Sequence, residues 1–114
     1  MTFGPFELDP VSGHLYRDGV AVPLPPKAFA ILQHLLDNAG RLVSKQELLD
    51  AGWPGVFVGD AVLKVTIREI RKALGDNPTA PIYIETAHRR GYRFLPRNDE
   101  LRTANVEKQS PSPE

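Results

Sequence analysis

Cysteine is absent from all 114 residues, which excludes disulfide staples, thiolate zinc sites and cysteine nucleophiles. The fold must stand on packing alone. Long apolar runs are missing as well. The longest, Ala28 to Leu32, is far short of the ~20 residues a membrane helix needs. No basic-then-apolar signal peptide opens the chain. These absences predict a soluble, cytoplasmic protein with no membrane contact by this segment. There is no glycine-rich phosphate loop, no Ser/His/Asp set and no pair of carboxylates. His14, His34 and His88 are isolated on different predicted elements. No catalytic residue, metal or cofactor is expected, and the chain does not read as an enzyme.

An excess of one charge is also lacking. Fourteen Lys and Arg balance fourteen Asp and Glu, which at first argues against a nucleic-acid partner. The distribution reverses that conclusion. Residues 1–59 hold four basic and six acidic side chains, a net of −2. Residues 60–97 hold eight basic ones, Lys64, Arg68, Arg71, Lys72, Arg89, Arg90, Arg93 and Arg97, against four acidic, a net of +4. Residues 98–114 return to −2. Such asymmetry points to a polyanion better than net charge does.

What is present is ordinary for one globular domain, 41% hydrophobic and 25% charged. The first 24 residues alternate apolar and polar positions between turn signals. Asp18-Gly19 ahead of Val20-Ala-Val22 is a hairpin signal, because a tight two-residue turn needs two positive φ angles. A small antiparallel sheet is predicted. Pro25 and Pro26 mark a helix start, since the N–H that proline lacks would be unpaired there anyway. Phe29, Leu32, Leu35 and Leu36 form its apolar stripe, which ends near Asn38 and Gly40. Ser44-Lys-Gln-Glu47 fits a capping box, Ser44 accepting from the third helical N–H and Glu47 reaching back. It opens a short second helix that stops at Gly52.

Beyond Trp53-Pro-Gly55, Asp60 is placed to cap a third helix that runs to Leu74 and is closed by Gly75, with Pro78 barring continuation. Leu63, Ile67, Ile70 and Leu74 define its buried face. Ala61, Lys64, Val65, Arg68, Glu69 and Lys72 fall opposite, with Arg71 on the flank. Ile82 to Thr86 and Tyr92 to Leu95 alternate around Ala87-His-Arg-Arg-Gly91, a hairpin with a basic turn. The polar stretch ending Ser110-Pro-Ser-Pro-Glu114 reads as a linker or disordered tail, so the expected division is a domain over 1–97 and a tail over 98–114.

Three helices, the last basic on its outer face, followed by an arginine-tipped hairpin, are the layout of a winged helix-turn-helix. The ordered series Phe3-Gly-x-Phe6-x-Leu8, Asp18-Gly19, Gly40-Arg-Leu-Val-Ser44-Lys-Gln-Glu-Leu48, Trp53, Val65-Thr-Ile67-Arg-Glu-Ile70-Arg-Lys-Ala-Leu74, Ile84-Glu-Thr86 and Gly91-Tyr-Arg-Phe94 resembles the OmpR/PhoB-type DNA-binding domains of bacterial transcription regulators. The resemblance spans residues 3 to about 95. It implies an α+β fold with an N-terminal four-stranded antiparallel sheet, a three-helix core and a C-terminal hairpin wing. Helix 60–75 would enter the major groove of double-stranded DNA, and wing 82–95 would lie at the minor groove.

By family position, Ala61, Val62, Lys64, Val65, Thr66, Arg68 and Glu69 approach bases or nearby backbone, and Arg71 and Lys72 hold phosphates. Thr86, His88, Arg89, Arg90 and Tyr92 are the wing's share. Val65 suits a thymine methyl, and Glu69, often basic in relatives, can accept from cytosine N4 while repelling phosphate. His88 stands where many relatives place a minor-groove arginine, and Arg89 where the family usually has glycine. Loop 53–59 resembles the segment through which relatives contact RNA polymerase, and relatives bind direct repeats as head-to-tail pairs. With Met1 two residues before the first strand, no receiver domain is expected ahead of the module. Leu24-Pro-Pro-Lys27 and His88-Arg-Arg-Gly-Tyr92 resemble a subset in which the winged helix comes first in a larger regulator.

Plain readings stand beside these. The helix face could be merely solvated, the hairpin merely soluble, Val65 an ordinary exposed valine and loop 53–59 a connector. Trp53 and Tyr92 read as core and hinge packing. A rival from another class is a winged helix kept as a protein-interaction module within a signalling ATPase or cyclase. Salt separates the two, because only phosphate neutralisation makes affinity fall steeply with salt.

Overall fold

Alternation builds the first layer. β1 (Thr2–Phe3), β2 (Phe6–Asp9), β3 (His14–Arg17) and β4 (Val20–Val22) pair in that order as a four-stranded antiparallel sheet. Phe6 and Leu8 of β2 and Leu15 of β3 point inward, whereas Glu7 and His14 face solvent. The β3–β4 turn is the expected one, with φ of +50° at Asp18 and +83° at Gly19. The structure, a computed structural model, describes residues 1–95. The domain boundary at 97 and the tail over 98–114 lie outside the described residues.

α1 (Pro26–Asp37) begins with proline in its first turn. Its buried face is Ala28, Ile31, Leu32 and Leu35, so the expected stripe is rotated: Phe29 and Leu36 are only half-buried, and Ile31 is fully covered. The cause is tertiary. α1 packs on two other helices and on a strand at once, which buries a wider arc than a surface helix shows. β5 (Leu42–Ser44) follows, then α2 (Lys45–Gly52). Ser44 Oγ accepts from the Glu47 N–H at 3.1 Å as the capping box requires. The Glu47 carboxylate turns instead to Arg41 and His34.

α3 (Asp60–Leu74) departs from expectation at its start. Gly59 is the N-cap, without a side-chain hydrogen bond, and Asp60 is the first helical residue. There its carboxylate still favours the positive helix end and meets Lys45 Nζ at 3.3 Å. Gly75 closes the helix. β6 (Ile84–Ala87) and β7 (Gly91–Phe94) form the hairpin, and β5 joins β7 to give a second sheet ordered β5-β7-β6. Gly91 is what lets these strands meet. Its φ is +154°, and a Cβ there would collide with the Val43 carbonyl and lie 2.9 Å from Ser44 Cα.

One core joins all of this. Phe3 stacks on Phe6 with ring centroids 5.3 Å apart and meets Phe94 edge-on at 5.3 Å, so the two sheets share aromatic packing. Leu63, Ile67, Ile70 and Leu74 of α3 are buried as the sequence indicates. The helix is thereby held with its other face outward, beside the hairpin.

Candidate nucleic-acid interface

The outer face of α3 follows from its helical period. With Leu63, Ile67, Ile70 and Leu74 inward, Ala61, Lys64, Val65, Arg68, Glu69 and Lys72 are all exposed, and Val62 is exposed on the flank. In the hairpin, Thr86, His88, Arg89 and Arg90 are exposed too. Lys64, Arg68, Lys72, Arg89 and Arg90 form no ion pair among the described residues. Several other cations are engaged. Arg41 pairs with Glu47, Lys45 with Asp60 and Arg93 with Glu85, while Lys27 donates to the Gly52 carbonyl at 2.7 Å.

Three sequence-derived site residues are not where a groove reader would present them. Thr66 is only 4% exposed. Its hydroxyl donates to the Val62 carbonyl at 2.9 Å, which satisfies the polar atom within the helix and lets the side chain join the core. Tyr92 is 5% exposed, because it lies on the same pleat face as Phe94, turned inward. Burial pushes its phenol above the ordinary value, so it stays a neutral hydroxyl. Arg71 is half-buried, and its guanidinium donates to the Ile84 carbonyl and the Thr86 hydroxyl, both at 2.8 Å.

Between α3 and the hairpin runs an open concavity of ≈ 420 Å³, bordered by Lys64, Arg68, Arg71, Lys72 and Tyr92 and floored partly by Ile67. Asp76 and Pro78 complete its rim. Asp76 was not singled out by the sequence. The one signal was its place straight after the terminating Gly75, where a short carboxylate readily accepts backbone N–H groups. Arg89 sits at the hairpin tip with φ of +66°, a left-handed backbone that suits glycine, at the position where the resemblance places glycine. Phe57 and Val56, in the loop between α2 and α3, are strongly exposed.

An antiparallel sheet, three helices and a hairpin that flanks the exposed basic face of the third define a winged helix-turn-helix. Residues 19–94 match the family described as "Transcriptional regulatory protein, C terminal". The chain belongs to that family, the OmpR/PhoB-type DNA-binding domains of bacterial transcription regulators. It is 32% identical over 93 residues to the sensory transduction protein RegX3 of Mycobacterium leprae, covering 80% of this chain and 46% of that protein. It is 39% identical over 84 residues to the transcriptional regulator HilA of Salmonella typhi, covering 74% of this chain and 15% of that one. The chain thus spans less than half of either relative.

Among solved structures, the Klebsiella pneumoniae RstA DNA-binding domain in complex with the RstA box superposes with a TM-score of 0.74 at 33% identity, over 83% of this chain and 95% of that one. DrrB of Thermotoga maritima, an OmpR/PhoB homolog and response regulator, gives 0.76 at 36% identity over 83% of this chain and 43% of that one. Among the described residues no helix is long and apolar enough to cross a membrane, and no group of His, Asp or Glu could hold a metal ion.

Proposed function

We propose that this chain recognises a specific sequence in double-stranded DNA, with α3 in the major groove and the β6–β7 wing at the minor groove. One observation carries the reading: among the described residues the exposed cations of α3 and the wing tip have no carboxylate partner, while Arg41, Lys45 and Arg93 are each paired with one. Phosphates attract unpaired cations, and base edges are read by the donors that stand between them. Lys64, Arg68 and Lys72 supply the donors of α3. Val65, 48% exposed, offers an apolar surface to a thymine methyl, and Glu69 offers an acceptor to cytosine N4. Ala61 and Val62 leave the N-terminal turn of α3 free to approach the backbone closely. At the wing, Thr86, His88, Arg89 and Arg90 face the minor groove. The likeness to the RstA domain bound to its box supports a defined site over indiscriminate binding.

Two partners beyond DNA belong to the same proposal. The exposed Val56 and Phe57 suit the loop 53–59 to a contact with RNA polymerase, and a second copy bound head to tail fits tandem sites. A regulator of this kind works in the cytoplasm, on the chromosome.

The test is selection of the chain against a random duplex library at moderate salt, in parallel with a variant carrying Lys64→Ala, Arg68→Ala and Lys72→Ala. A short enriched motif that the variant fails to enrich supports the proposal. Salt-sensitive binding with no enrichment reduces it to non-specific DNA binding, and no binding at all moves the face to a protein partner.

A further inference from the structure

Two side chains at the C-terminal end of α3 are turned to the wing. Arg71 leaves the helix on the side of β6, and one terminal guanidinium nitrogen donates to both the Ile84 carbonyl and the Thr86 hydroxyl, at 2.8 Å each. Its Nε is buried without a hydrogen-bond partner among the described residues. Just past the helix, Asp76 accepts from three successive backbone groups: Ile82 N–H at 2.7 Å on Oδ1, then Tyr83 N–H at 3.2 Å and Ile84 N–H at 2.9 Å on Oδ2. Asp76 is itself fixed by its own N–H, which donates to the Arg71 carbonyl at 2.8 Å. Ile84 is therefore held at both of its backbone groups, the N–H by Asp76 and the carbonyl by Arg71.

The sheet order explains the arrangement. Among the described residues β6 is an edge strand in β5-β7-β6, and its outer backbone groups have no strand to pair with there. The end of α3 takes the place of that strand. We infer that Arg71 and Asp76 are positioning residues, which clamp the wing to the recognition helix so that both meet DNA as one body. The functional half of this inference rests on the proposed DNA reading, and the clamp itself rests on geometry alone. A wing held at a fixed angle does not have to be ordered on binding, so helix and wing contacts reinforce each other. Arg71 thereby differs from Lys64, Arg68 and Lys72, whose charges are free for phosphate.

Amide hydrogen exchange on the full chain tests the clamp without DNA. Arg71→Met, which keeps side-chain length and removes the donors, is expected to speed exchange in β6 by about tenfold while α1 amides keep their rates. Asp76→Asn is expected to act first at Ile82, Tyr83 and Ile84. Should Arg71→Met fail to fold, Thr86→Val removes one acceptor alone and carries the same test.

On the selected duplex, Arg71→Met is expected to cost about tenfold in affinity with the native wing, and less than about twofold when Arg89 and Arg90 are already alanine. Unchanged exchange in β6 overturns the clamp. An equal loss in both wing backgrounds, with the salt slope reduced by about 0.9, also overturns it and makes Arg71 a phosphate contact. If the unaltered chain binds no DNA, the groove reading falls and the exchange result still decides the clamp.

Discussion

Two clusters of charge in this molecule differ in how their cations are partnered. Where α1 turns into β5 and α2, Arg41 donates to both oxygens of Glu47, at 3.3 and 2.7 Å, and His34 Nε2 lies 2.6 Å from the same carboxylate. Arg41 also reaches Asn38 Oδ1 at 2.9 Å, and Asn38 in turn donates to the His34 carbonyl. Arg41, His34 and Glu47 are thus partnered with one another. On α3 and the wing tip, Lys64, Arg68, Lys72, Arg89 and Arg90 have no ion-pair partner among the described residues. The lesson is that net charge says little about a polyanion partner, because pairing is local. A chain of zero net charge can still present a face of unneutralised cations.

The seam between the two clusters is the β5–β7 pairing, and breaking it should have the largest effect. Gly91→Ala drives a Cβ into the Val43 carbonyl at a φ of +154°, and is expected to cost on the order of 3 kcal/mol of stability, read as a lowered denaturation midpoint. Next comes the free face. Lys64→Ala, Arg68→Ala and Lys72→Ala together are expected to lower affinity for the selected duplex about a hundredfold or more, at nearly constant melting temperature, because each side chain is exposed and unpaired.

The paired cluster should respond in the opposite sense. Arg41 first, and His34 second, hold the Glu47 carboxyl down to about 2, against an ordinary 4.5. A depressed carboxyl stabilises the fold above its unfolded value and loses that contribution as pH falls through the folded one. Glu47→Gln is therefore expected to lower the melting temperature at neutral pH, with the deficit fading between about pH 4.5 and 2 and DNA affinity unchanged. A pH-independent deficit would show that ion pairing is not what Glu47 contributes.

The smallest change sharpens the wing. Arg89→Gly relieves a left-handed backbone at φ +66° and removes a charge at the hairpin tip. Stability is expected to stay level or rise by up to about 1 kcal/mol. Affinity is expected to fall about threefold, for one lost phosphate attraction. A clear drop in melting temperature would make Arg89 structural.

Local patterns made much of this legible. The Asp18-Gly19 turn, the Ser44 cap and the inward face of α3 are set by neighbours within a few residues, and each stands where the sequence indicates. What escaped depends on distant partners. β5 is three residues long and forms because β7 pairs with it. Ile31 is buried because α1 is enclosed on several sides. Thr66 is a local exception: it looks polar in sequence, yet a hydroxyl satisfied four residues back belongs in the core. Tyr92 shared its alternation with Phe94, which did indicate packing, though its hydroxyl also drew a DNA reading. Arg71 and Asp76 could not be told from groove-facing and loop residues, since their partners lie six to eight positions away for Asp76 and thirteen to fifteen for Arg71.

The most direct test is the salt dependence of duplex binding, measured for the unaltered chain, for the Lys64, Arg68 and Lys72 triple alanine variant, and for Arg41→Ala. Log affinity should fall with log salt in the unaltered chain. The slope should be smaller by about 2 to 3 in the triple variant, at roughly 0.9 per phosphate contact, and should be unchanged in Arg41→Ala. Equal slopes for the unaltered chain and the triple variant, or a slope that drops on loss of Arg41, would contradict the division between free and paired cations.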